Sequence, residues 1–139
     1  MVHALYEAQR VLHPNGIILD LRPAPVHRRV GIQSEAGYRE VGVMRENLED
    51  DYAANRAVKQ VLRGGLFNSE RYVQFNCNRV LDSLNEFRLW LADFEERGRI
   101  PAQVQLLDRV ERAYPTIPGR KKIIVSAPLM LRRLRNLGG

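Results

Sequence analysis

Few side chains in this 139-residue chain combine a reactive type with a useful spacing. The histidines are His3, His13 and His27, and Cys77 is the single cysteine. No two histidines stand four apart, the spacing that would aim both at one zinc ion from a helix, and Cys77 is distant from all three in sequence. His13 precedes Pro14 and reads as a surface turn residue. Cys77 falls on the apolar side of an alternating segment, so a buried, inert thiol is expected there rather than a nucleophile. Glu49, Asp50 and Asp51 are consecutive carboxylates, but they open a helical pattern, where they complement the helix dipole. Gln74, Asn76 and Asn78 offer more. Strand alternation places their amides on one face, and amides orient polar ligands by donating and accepting hydrogen bonds. They are the candidate substrate-facing residues, with a plain solvated face as the competing reading. No residue is assigned a catalytic, cofactor-binding or metal-binding role.

These side chains must be held by a scaffold, and the composition describes an ordinary one. Hydrophobic residues make up 45% and charged residues 27%, enough apolar material for a core and too much for disorder. The length suits one domain, spanning 1–139. A single cysteine makes no internal disulfide, so a reducing compartment, the cytoplasm, is expected. Apolar runs of a few residues are far below the roughly 20 that span a bilayer, and no charged-then-apolar leader opens the chain. The formal charge is +6, with no acidic residue after Glu111 while Arg112, Arg120, Lys121, Lys122, Arg132, Arg133 and Arg135 follow. Such a cluster can meet nucleic-acid phosphates, yet no aromatic residues interleave with the terminal cations to stack on bases. A solvated basic face is the preferred reading, and nucleic-acid binding is not expected.

The elements follow from periodicity. Ala4, Leu5, Ala8, Val11 and Leu12 lie on one helical face, with no capping residue before them. His13-Pro14-Asn15-Gly16 turns the chain into Ile17-Ile18-Leu19, a continuous apolar run expected to be a strand buried on both faces and ended by Asp20 to Pro25. A hairpin follows, with Val30 and Ile32 outbound, a turn at Glu35-Ala36-Gly37, and Val41 and Val43 returning. A helix from about Asp50 carries Ala54, Ala57, Val58, Val61 and Leu62 and stops at Gly64-Gly65. Phe67 to Leu81 reads as a long strand with Val73, Phe75 and Cys77 on one side. Ser83-Leu84-Asn85-Glu86 is a capping box for a helix bearing Leu84, Phe87, Leu91 and Phe94. Trp90 lies beside that stripe and reads as core. Gly98 ends the helix. Pro101 opens another, on which Val104, Leu107, Val110 and Tyr114 are expected inward. After the loop at Pro115 to Gly119, a strand from Ile123 to Val125 resumes through Leu131, with Pro128 marking a bulge or edge.

The stretch Glu7-Ala8-Gln9-Arg10-Val11-Leu12-His13-Pro14-Asn15-Gly16-Ile17-Ile18-Leu19-Asp20 resembles a segment of class I S-adenosylmethionine-dependent methyltransferases. In that family a helix ending in Arg-Val-Leu-x-Pro-Gly-Gly leads into the fifth strand of a Rossmann-like sheet. Asn15 stands where the family has its first glycine, a mild departure because Asn tolerates left-handed geometry. The later order, with a long strand, intervening helices and a final strand, is similar in pattern to the family's C-terminal half. The start of the long helix at Asp82-Ser83-Leu84 looks like that of some bacterial members. The resemblance implies a small mixed, largely antiparallel sheet with helices packed on it. The strands near Ile18, Phe75 and Val125 share that sheet with the last one in the middle, and a hairpin insertion spans about 28–45.

The same resemblance exposes a gap. The family's cofactor sits on a Gly-rich loop after the first strand, and this sequence has no Gly-x-Gly-x-Gly run. The uncapped opening fits a chain that starts partway through a larger fold. Neither S-adenosylmethionine binding nor methyl transfer is expected of the chain alone; the cofactor would need a completing half. A truncated or split methyltransferase is the first functional expectation, and a non-enzymatic dimerisation or docking module is the alternative. Either way the strand lacks the neighbour it has in the full fold, and an apolar open edge invites pairing. A homodimer or a complementing chain, joined through Ile17 to Leu21, is therefore expected.

Overall fold

The helix expected around Ala4 to Leu12 forms as α1 (Val2–Val11) in the computed structural model, which describes residues 1–98 and 100–138, but of its apolar stripe Leu5 is buried while Val11 is 70% exposed. The remaining elements are β1 (Ile17–Pro23), β2 (Arg29–Ser34), β3 (Gly37–Val43), α2 (Glu49–Arg63), β4 (Phe67–Leu81), α3 (Leu84–Gly98), α4 (Val104–Ala113) and β5 (Lys121–Asn136). A single 3-10 turn, Tyr114–Thr116, follows α4. The fold is α/β, and its five strands form one sheet in the order β1-β5-β2-β3, with β4 also pairing β5. The last strand is thus between its neighbours. The hairpin joins the sheet, because β2 runs antiparallel to β5. The chain forms two compact units.

The first unit takes Met1–Val26, Leu48–Phe75 and the chain from Leu129 on. Its core is Leu5, Val58, Val61, Phe67 and Leu134, with Leu12, Ile18, Leu62 and Leu66 against them. The turn into β1 works as expected. Asn15 adopts a positive φ of 63°, and the Gly16 N–H donates to the His13 carbonyl at 2.8 Å. After α2, Gly65 takes φ 73° and the Leu66 N–H returns to the Val61 carbonyl at 3.1 Å, a left-handed stop to the helix.

β1 is not buried on both faces. Ile18 points into the core shared with the helices, whereas Ile17, Leu19 and Leu21 are 43%, 64% and 57% exposed. An apolar run alone does not say how many faces are covered, and α1 and α2 supply side chains to one face only. Nor does Asp20 end the strand. It sits inside β1 opposite Arg132 and is neutralised by Arg22, whose Nε and Nη2 reach its two oxygens at 2.6 and 2.9 Å.

The second unit takes His27–Asn47 and Asn76–Pro128. Val30, Ile32, Met44, Leu81, Phe87, Leu91, Leu106, Val110, Ile123 and Val125 make its core. The hairpin turns at the expected place, with the Ala36 N–H on Ser34 Oγ at 3.2 Å. Its register shifts between Val30 and Gly31. The capping box forms with an offset: Glu86 N–H donates to Ser83 Oγ at 3.1 Å, and the Glu86 carboxylate accepts from the Asp82 N–H at 2.7 Å.

α4 departs from expectation. It starts at Val104, three residues beyond Pro101, so Pro101 is not in its first turn. Leu106 and Val110 are the buried pair, and Val104, on the far side of the helix, is 70% exposed. The buried Gln103 sets this entry. Its Oε1 accepts from the Arg45 N–H at 2.9 Å, and its Nε2 donates to the Arg45 and Pro101 carbonyls at 2.8 and 2.9 Å. β5 continues through Pro128. Its register with β1 begins at Leu129 and that with β2 ends at Ser126, so the proline falls outside both ladders.

Candidate functional site

The three candidate amides all lie on β4, where every residue from Asn68 to Val80 is exposed. Gln74 belongs to the first unit, where its Nε2 donates to Tyr72 Oη at 2.6 Å. Tyr72 in turn donates to Met130 Sδ at 3.8 Å, and the Arg132 guanidinium lies 5.0 Å from its ring centroid. Asn76 and Asn78 belong to the second unit, and of these Asn78 borders a cavity.

Cys77 is exposed, not buried. In the second unit only Leu81, at the end of β4, enters the core, so the apolar side on which Cys77 lies is not covered there. Alternation then puts Arg79 and Cys77 on Leu81's side and Asn76 and Asn78 on the other.

The cavity at this place is about 490 Å³. Cys77, Asn78, Arg79 and Val80 border it from β4, Trp90 and Phe94 from α3, and Arg28, Val125 and Ala127 complete the lining. α3 presents an aromatic row: Phe87 and Trp90 stack with centroids 6.2 Å apart, and Trp90 and Phe94 meet at 5.2 Å with rings tilted 30°. Trp90 and Phe94 pack against the core, as expected, and also form the cavity's wall.

Charge in the lining is one-signed, because two arginines and no carboxylate border the space. Arg28 is already engaged. It lies 4.6 Å over the Phe94 ring and forms an ion pair with Glu46, and its backbone N–H donates to Glu46 Oε2 at 3.0 Å. His27 Nδ1 accepts the Glu46 N–H at 3.1 Å, which fixes the loop carrying Arg28. Arg79 has no ion-pair partner among the described residues. Sequence reading missed both arginines. Arg79 had a signal, its place two residues after Cys77 on the same strand face. Arg28 had none, because its position depends on the loop after β1.

Four of the seven cations of the basic C-terminal run are ion-paired, by three carboxylates. Arg133 and Arg135 share Glu70, Lys122 pairs with Asp82, and Arg112 pairs with Asp108. Lys121 caps the Ile117 carbonyl at 2.6 Å and lies over the Tyr114 ring. Arg135 holds the Glu70 carboxyl below its ordinary range, mainly by hydrogen bonding to it. Glu49, Asp50 and Asp51 occupy the first turn of α2, as expected. Among the described residues, no group of three or more His, Cys, Asp or Glu side chains is arranged to hold a metal, and no helix is long and apolar enough to cross a membrane.

Comparison of the chain with protein-family models, curated proteins and solved structures gives no match.

Proposed function

We propose that this chain is a methyltransferase-like C-terminal half fold that associates with a second copy of itself through β1 and does not bind S-adenosylmethionine alone. The observation that carries this reading is the state of β1. Its single strand partner among the described residues is β5, and it exposes Ile17, Leu19 and Leu21 in alternation. The corresponding strand of the full family fold has neighbours on both edges. Supporting the resemblance are the order helix, left-handed Asn15 turn, apolar strand, and the central place of β5.

A second copy suits this edge because antiparallel pairing of two β1 strands satisfies the open backbone groups of both at once, as a two-fold interface requires. It also unites the two sets of exposed apolar side chains. From Ile17 to Leu21 the only charge is Asp20, which Arg22 neutralises, and the strand's proline, Pro23, stands at its far end.

Two measurements test the reading. Light scattering should give a dimer at high micromolar concentration, and a monomer there overturns the pairing. Calorimetric titration of the folded chain with S-adenosylmethionine should show no saturable heat. Micromolar binding would mean the chain builds a complete cofactor pocket, against the half-fold reading.

A further inference from the structure

We propose that the cavity between β4 and α3 in the second unit binds a small organic anion with a flat apolar body, of the aryl carboxylate class. This inference is independent of the methyltransferase reading. At about 490 Å³ the cavity falls inside the range of small-molecule sites, roughly 300–1,000 Å³. Its walls are Trp90 and Phe94 on one side and Val125 and Ala127 on another, which suits a planar apolar body. The sign of the ligand comes from Arg79, because the other lining cation, Arg28, is already paired with Glu46. No carboxylate lines the space, so a cationic ligand meets only like charge.

The two arginines have different tasks. Arg28 is neutralised by Glu46 and stacked on the Phe94 face, so it contributes shape rather than net charge. Arg79 has no ion-pair partner among the described residues and is exposed at the cavity's border. A guanidinium donates two parallel hydrogen bonds to a carboxylate, which fixes orientation as well as charge. The ligand therefore places its carboxylate at Arg79 and its ring against Trp90 and Phe94.

The sequence provides two native reporters, because Trp90 is the only tryptophan and Cys77 the only cysteine, and both border this cavity. Phenylacetate is the probe, with benzyl alcohol as its uncharged counterpart. Tryptophan fluorescence should change saturably with phenylacetate, and alkylation of Cys77 by N-ethylmaleimide should slow in parallel. Benzyl alcohol should bind at least about tenfold more weakly, and Arg79→Gln should weaken phenylacetate by about the same factor, the scale of one charge-assisted hydrogen bond. Arg79 is exposed, so the variant should keep the wild-type melting temperature. The proposal is overturned if phenylacetate produces no saturable change in either reporter, if acid and alcohol bind equally, or if folded Arg79→Gln binds phenylacetate like wild type.

Discussion

Arg135 and Glu70, 65 positions apart, form a clamp across β4 and β5 in the first unit: Arg135 Nη2 donates to Glu70 Oε2 at 3.2 Å while its Nη1 donates to the Asn15 carbonyl at 2.7 Å. Arg133 reaches the same Glu70 oxygen at 2.9 Å. One carboxylate thus binds two arginines, and one arginine also holds the turn that feeds β1.

The clamp has a pH signature. Arg135's hydrogen bond, and then the charges of Arg135 and Arg133, lower the folded Glu70 pKa below its ordinary 4.5. The unfolded chain binds the Glu70 proton more tightly, so this contribution is present above pH 4.5 and is lost as pH falls through the folded value. Glu70→Gln should flatten the acid side of a melting-temperature profile. An acid limb identical to wild type would contradict the clamp.

Asn15 is the one non-glycine residue among the described residues with a positive φ, 63°, a region that Asn enters more readily than most side chains. Asn15→Gly should change stability by less than about 1 kcal/mol, because glycine enters this region freely. Asn15→Val should cost about 1–2 kcal/mol through the contact of its Cβ with the backbone. Urea titration of the two variants checks the order; equal losses would mean that the turn is not left-handed.

Gln103 should be the most sensitive polar residue of the second unit. Its buried amide makes three hydrogen bonds to the backbone of Arg45 and Pro101. Gln103→Ala leaves those groups unsatisfied and should cost about 2–3 kcal/mol, while Val104→Ala, one position on, should be close to silent. Chemical denaturation of both variants distinguishes this from a helix entered at Pro101, where Val104 would be the inward residue.

Ile18 and Leu19 are neighbours with opposite tasks. Ile18 packs against the first unit's core, so Ile18→Lys should lower stability by about 2 kcal/mol or more, whatever the state of association. A variant as stable as wild type in urea would place the core on the other face of β1.

Much of the scaffold was legible in the sequence because the signals were local. The His13-Pro14-Asn15-Gly16 turn, the hairpin around Ala36, the Ser83–Glu86 cap and the long strand ending at Leu81 all come from residues close together in the chain. What was not legible depended on which faces are covered. Ile17-Ile18-Leu19 reads as doubly buried until one sees that the helices cover only the Ile18 side. Cys77 reads as buried because alternation gives a side but not its occupant. The C-terminal cations read as a free basic face because Glu70 and Asp82 are distant in sequence and are brought to them only by strand pairing and the loop after β4. The cavity shares this origin. Asn78 was singled out for its amide, whereas the structure adds Arg79 beside it and Arg28 from a loop without any helical or strand pattern.

Sedimentation equilibrium of wild type and Leu19→Lys tests the central claim most directly, with Leu89→Lys, an equally exposed leucine on α3, as the control. Wild type and Leu89→Lys should be dimers, and folded Leu19→Lys a monomer under the same conditions. A monomeric wild type, or a Leu19→Lys variant that dimerises as tightly as the control, would contradict association through β1.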